Sequence, residues 1–176
     1  NEMLKKKTIA IDYYNKCITI NDEYALAYKY LGLLYYDDFN NEKAVENFES
    51  YLELVPDTKD DNVYYKKGVA ENDLGKYNAA LSSVKKAVEL KPGSTRNINE
   101  LAYTHYLLEN EAEALLNFDK ALSIDPKSLT ALNGRADVYR KLKKDAAAAI
   151  KLYAKTLEID PKNKKANYWT GWCYNE

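Results

Sequence analysis

The chain has 176 residues, of which 46% are apolar and 30% charged, and its net charge is −1. That balance is globular rather than disordered, and it excludes bulk electrostatic attraction to nucleic acid or to an anionic membrane. The longest unbroken apolar runs, residues 24–28 and 146–150, are far too short for the roughly 20 residues that insertion across a membrane needs.

From the N-terminus, residues 3–20 read as one helix, because Ala10, Ile11, Tyr14, Cys17 and Ile18 recur at helical spacing. Residues 25–58 read as two helices, the first marked by Tyr28, Leu31, Gly32 and Tyr35, the second by Ala44, Phe48 and Tyr51, with Phe39 in the turn. Residues 61–94 repeat that pair after a two-residue insertion at Lys59–Asp60, and carry Tyr64, Gly68, Gly75, Tyr77, Ala80 and Ala87. Residues 95–128 repeat it again, with Ile98, Leu101, Ala102 and His105 and then Ala114, Phe118 and Ala121. Residues 129–163 follow with Leu132, Ala136 and Tyr139, then Ala149, Tyr153 and Thr156, and one extra residue expected in the turn near Lys143–Lys144. Residues 164–176 supply one more first helix, with Gly171 and Tyr174 in its small and aromatic places.

All four prolines, Pro56, Pro92, Pro126 and Pro161, fall at one repeat position, spaced 36, 34 and 35 residues apart. A proline cannot continue the helix before it and drives its predecessor out of the α region, so each one predicts a helix stop. Small residues recur on each first helix (Gly32, Gly68, Ala102, Ala136, Gly171) and on each second helix (Ala10, Ala44, Ala80, Ala114, Ala149). Close helix–helix approach needs such gaps.

These positions resemble the tetratricopeptide repeat, a helix–turn–helix unit of about 34 residues. The resemblance covers essentially the whole chain. It implies an all-α, right-handed superhelical solenoid of antiparallel helix pairs in one domain, residues 1–176. It also implies a non-catalytic role as a scaffold or adaptor that binds a protein or peptide. The alternative is an accessory region of a larger enzyme, secretion or assembly complex.

The sequence offers little chemistry. His105 is the single histidine, with no second ligand to make a metal site, and it occupies a helix-packing position. Cys17 and Cys173 read as small core residues without a disulfide between them, which fits the cytoplasm ahead of the periplasm. The chain opens on Asn1 rather than Met, so a leader upstream of it stays open. Ser82-Ser83-Val84-Lys85 matches S-x-x-K formally, but its companion motifs are missing, and both serines are expected in solvent. No phosphate-loop or dinucleotide fingerprint occurs, and no cofactor is expected.

In proteins that look like this one, the first helix of each repeat faces a concave groove. That resemblance assigns to the groove Lys29, Tyr30 and Leu33 of the first complete repeat and Asn62, Tyr65, Lys66 and Val69 of the second. It adds Asn99, Tyr103 and Tyr106 from the third, Asn133, Asp137 and Arg140 from the fourth, and Tyr168 and Trp172 from the last helix. Tyrosine gives large contact area at low entropy cost, and asparagine bonds a peptide in either sense. Repeats that clamp a C-terminal carboxylate carry Lys and Asn, then Asn, then Lys and Arg. Here those places hold Lys29 and Leu33, Lys66, Arg96 and Glu100, and Glu100 would repel the carboxylate. The asparagine ladder of repeats attached to glycosyltransferases is absent too, because its places hold Tyr30, Lys66, Glu100, Gly134 and Trp169. The aromatic end helices further suggest self-association.

Overall fold

The computed structural model describes residues 2–175. Ten α-helices follow one another: α1 (Glu2–Ile20), α2 (Ala25–Asp37), α3 (Asn41–Leu54), α4 (Asp61–Asp73), α5 (Tyr77–Leu90), α6 (Thr95–Leu107), α7 (Glu111–Ile124), α8 (Leu129–Asp137), α9 (Ala146–Ile159) and α10 (Lys164–Asn175). The described residues contain no strand. α8 runs on into a π-helical turn over Val138–Leu142. The helices group into two compact units, the first ending at Leu90 and the second beginning at Lys91.

Each second helix stops for a local reason. α3, α5, α7 and α9 end at Leu54, Leu90, Ile124 and Ile159, two residues before a proline. The residue between is forced toward extended backbone: Val55, Asp125 and Asp160 lie at φ −132°, −130° and −133°. Side-chain caps then restart the chain. Ser94 accepts the Asn97 N–H at 3.3 Å, Ser128 that of Ala131 at 3.3 Å, and Asn163 that of Ala166 at 3.0 Å. After Pro56 the inserted Lys59–Asp60 postpones the cap to Asp60, which accepts the Asn62 N–H at 3.1 Å.

Inside each pair the turn passes through left-handed backbone, at Phe39 (φ 57°), Gly75 (73°), Glu109 (58°) and Lys144 (54°). Only glycine adopts it without strain. The next N–H then reaches back to an unused helix carbonyl. Asn40 bonds Tyr35, Lys76 bonds Glu71 and Asn110 bonds His105, each across five residues, whereas Asp145 bonds Tyr139 across six. The extra residue of the fourth repeat, expected in the turn, is instead absorbed within the first helix. Lys143 N–H bonds the Val138 carbonyl at 3.1 Å and closes the π turn. The widened helical turn keeps its hydrogen bonds, and the cap bond, now across six residues, is kept as well.

In the first unit α1 packs on α2, α2 on α3, α3 on α4 and α4 on α5. Its core gathers Ala44, Val45, Phe48, Tyr51, Val63 and Ala70. Gly32 and Gly68 admit close approach: a Cβ would meet Phe48 at 2.6 Å in one case and Val84 at 2.5 Å in the other. Tyr51 replaces the alanine found in the next two repeats, Ala87 and Ala121, and its hydroxyl lies 3.0 Å from that of Thr58. The second unit packs α6 on α7, α7 on α8, α8 on α9 and α9 on α10, around Ala136, Ala149, Leu152, Tyr153, Ala166 and Cys173. Both cysteines are free thiols. No described helix is long and apolar enough to cross a membrane.

One expectation is corrected here. Ser82 is exposed, but Ser83 is buried and donates to Glu71 Oε2 at 2.7 Å. Glu71 is itself only 1% exposed and takes Lys67 Nζ at 2.5 Å, which also reaches Glu49 at 3.2 Å. The reason is helical register: Ala80, Ser83, Val84 and Ala87 share one face, so Ser83 belongs to the core stripe.

Candidate functional site

In the first unit the groove candidates lie on α2 and α4. Tyr30 is exposed and stacks on Tyr14 of α1, with ring centroids 5.6 Å apart. Lys29 Nζ sits 2.6 Å from Asp60 and 5.8 Å from the centre of the Tyr51 ring. The hydrogen bond to Asp60 outweighs burial and raises its pKa above the ordinary lysine value. Lys66 reaches Asp37 at 3.3 Å and lies over the Tyr36 ring at 3.9 Å. Leu33 packs half-buried on the core, and Asn62, Tyr65 and Val69 are half-buried beside it along α4.

In the second unit Tyr103 of α6 is exposed and stacks on Tyr106 at 5.9 Å. Tyr106 is buried, with Lys141 Nζ 5.2 Å over its ring. Burial and the nearby Asp137 charge hold its hydroxyl pKa above the usual phenol value. Asn99 and Asn133 are buried too. Asn99 donates to Ser128 at 3.3 Å, and Asn133 donates to Asn163 at 3.3 Å. Both acceptors cap the next first helix, as Asp60 does for Lys29. The fifth residue of these repeats thus stitches one repeat to the next. The two asparagines serve that junction, and their side-chain carbonyl oxygens have no hydrogen-bond partner.

Asp137 anchors the end of the second unit. Its carboxylate, 5% exposed, accepts from Tyr153 at 2.6 Å and forms ion pairs with Arg140 at 3.5 Å and Lys165 at 2.5 Å. Burial first, then the bond to Asp137, pushes the Tyr153 hydroxyl far above its ordinary pKa, so it stays a proton donor. Arg140 continues the network, its guanidinium 3.5 Å from the Trp169 ring centre and 5.6 Å from that of Trp172. Tyr168 packs edge-on against Trp169 at 4.8 Å. Sequence reasoning missed the part of Tyr153. It stands where sister repeats have Phe48 and Phe118, and its hydroxyl opposite Asp137 was the available signal.

At the turn edge each unit opens a pocket. In the first it is about 460 Å3, lined by Tyr36, Asp37, Phe39, Asn41 and Asp73. In the second it is about 360 Å3, lined by Arg140, Lys141, Lys144, Ala146 and Trp172. His105 is buried, its Nδ1 3.4 Å from the Asn110 amide. No cluster of three or more His, Cys, Asp or Glu that could hold a metal exists among the described residues.

Comparison with known proteins supplies the family. Two tetratricopeptide repeat models match residues 61–94 and 99–164. A TPR repeat-containing protein of Methanocaldococcus jannaschii is 34% identical over 85% of this chain and 28% of its own length. The heat shock protein STI1 of Saccharomyces cerevisiae is 28% identical over 64% of this chain and 19% of its own. The human protein O-mannosyl-transferase TMTC3 is 26% identical over 96% and 18%. The chain thus spans less than a third of the length of these relatives. Among solved structures, YrrB, described as a TPR protein with an unusual peptide-binding site, superposes with a TM-score of 0.83 at 22% identity, over 95% of this chain and 84% of that one. MamA gives 0.80 at 22% identity, over 93% and 94%. The fold is therefore that of a TPR solenoid, and with repeat models matching more than half of its length, the chain belongs to the tetratricopeptide repeat family.

Proposed function

We propose that this chain is a non-catalytic protein-interaction module, a scaffold or adaptor that takes a peptide segment of a partner on the face of its first helices. The observation that carries this reading is that the first helices of each unit, taken separately, leave aromatic rings half-open. Tyr30 and Tyr103 are 44% and 41% exposed, and Tyr168 and Trp172 are 66% and 38% exposed. Such rings are the usual anchors of protein interfaces. The second helices instead expose Lys43, Glu46, Glu49, Lys85 and Glu89, long hydrated side chains that make poor contacts. The S-x-x-K match lends little to a rival reading, since Ser83 is committed to Glu71 and Ser82 donates to the Asn78 carbonyl at 3.3 Å.

The test is affinity capture on the immobilised chain, then calorimetry on the partner identified. Tyr65→Ala with Tyr103→Ala should weaken binding by about 2 kcal/mol or more, roughly thirtyfold. Lys85→Ala with Glu89→Ala should change it little. Loss in the second pair and not in the first refutes the reading. A second reading, an accessory region of a larger enzyme or assembly, is favoured by the small share of each relative that this chain spans. It predicts that deleting these repeats from the parent protein impairs targeting of an activity located elsewhere.

A further inference from the structure

The two turn-edge pockets occupy the same place in the first and fourth complete repeats, and they carry opposite charge. The first presents Asp37 and Asp73. The second presents Arg140, Lys141 and Lys144 beside Trp172. We propose that the second pocket binds an acidic peptide segment, its carboxylates between Lys141 and Lys144 and an apolar stem against Trp172. This rests on the interaction-module reading and sharpens it.

Two of the three cations of this pocket, Lys141 and Lys144, are available. Lys144 has no carboxylate within ion-pair reach among the described residues, and Lys141 lies over the Tyr106 ring rather than on an acid. Among the described residues, three neighbouring acids are committed elsewhere. Asp137 is held by Tyr153, Arg140 and Lys165, Glu111 takes Lys143 at 2.7 Å, and Asp145 caps α9 by accepting the Ala148 N–H at 2.9 Å. Ala146 is the first residue of α9, so the helix end adds partial positive charge. The π turn positions the walls. Arg140 lies within it, locked on Trp169, with Lys141 beside it and Lys144 just beyond. At about 360 Å3 the pocket is at the small end of ligand clefts, suited to one or two side chains rather than to a cofactor. A net charge of −1 gives no general field for nucleic acid, which favours a protein segment.

Trp172 lines this pocket and Trp169, the other tryptophan of the chain, packs edge-on against it at 5.9 Å, so intrinsic emission reports on it. A blocked tetraglutamate peptide should change the emission saturably at about 50 mM salt and lose at least tenfold in affinity at about 500 mM. A blocked tetraglutamine peptide should give no saturable change. Lys141→Glu with Lys144→Glu should weaken the glutamate peptide at least tenfold, with unchanged circular dichroism. Asp37→Asn with Asp73→Asn should leave its affinity intact. The proposal is overturned if the two peptides bind alike, or if the lysine reversal has no effect. It is also overturned if inorganic phosphate displaces the peptide at equal concentration, or if a single-stranded oligonucleotide of equal charge binds more tightly. A captured partner that needs Tyr65 and Tyr103 but not Lys141 and Lys144 would refute the acidic pocket and leave the module reading standing. The reverse pattern would keep the pocket and refute the tyrosine face.

Discussion

The two units bury one carboxylate each and satisfy it differently. In the first, Glu71 depends on one cation, Lys67, and one hydroxyl, Ser83. In the second, Asp137 has two cations, Arg140 and Lys165, and the Tyr153 hydroxyl. The first arrangement ties α4 to α5, and through Lys67 and Glu49 to α3, within the same unit. The second reaches α10 and draws Trp169 and Trp172 along with Arg140. The same repeat can therefore hold a buried acid as an internal tie or as the base of a surface. What decides between them is how many partners come from the neighbouring helix.

The largest expected effect breaks the single-cation tie. Lys67→Met leaves Glu71, at 1% exposure, with Ser83 as its remaining partner, which should cost about 3–5 kcal/mol in urea unfolding. Lys165→Met removes a partner that is 47% exposed and should cost less than about 1 kcal/mol, because Tyr153 and Arg140 remain. Equal losses from the two would mean that Asp137 depends on Lys165 as fully as Glu71 does on Lys67.

A middle-sized effect separates two glycines of the second unit. A Cβ on Gly134 would lie 2.3 Å from Phe118 Cζ, whereas one on Gly171 meets nothing within 4 Å. Gly134→Ala should therefore lower stability by about 1–3 kcal/mol through overpacking. Gly171→Ala should raise it by up to about 1 kcal/mol through helix propensity. Thermal melts that shift in the same direction for both would contradict the packing described for Gly134. This contact also shows that Gly134, which stands at a place of the asparagine ladder, faces α7.

The smallest effect compares the turns of the first unit. Gly75 and Phe39 share a left-handed conformation, but only phenylalanine is strained by it. Phe39 is 85% exposed, so Phe39→Gly loses little packing and should stabilise the chain by about 1 kcal/mol. A destabilised variant would show that the ring packs on its surroundings after all.

Much of the fold was legible because its signals are local. Pro56, Pro92, Pro126 and Pro161 restrict their own φ and that of the residue before, so the ends of α3, α5, α7 and α9 follow from sequence alone. The caps at Ser94, Ser128 and Asn163, and the small residues at Gly32, Gly68, Ala102 and Ala136, act through the backbone or through size, which the residue type carries with it. Side-chain partnership is different, since it depends on what another helix places opposite. Repeat counting assigned Asn99 and Asn133 to a ligand face, but the next repeat sets the caps Ser128 and Asn163 beside them, and they bind there. Ser83 met Glu71 because α4 lies against α5. The extra residue of the fourth repeat was taken up in a π turn, where the Lys143 N–H reaches Val138 and the Asp145 N–H still reaches the Tyr139 carbonyl, a hydrogen-bond choice that residue type alone does not carry. The opposite charges of the two turn-edge pockets arose in the same way, from residues that only packing brings to one edge: Asp73 of α4 beside Asp37 of α2, and Trp172 of α10 beside Arg140.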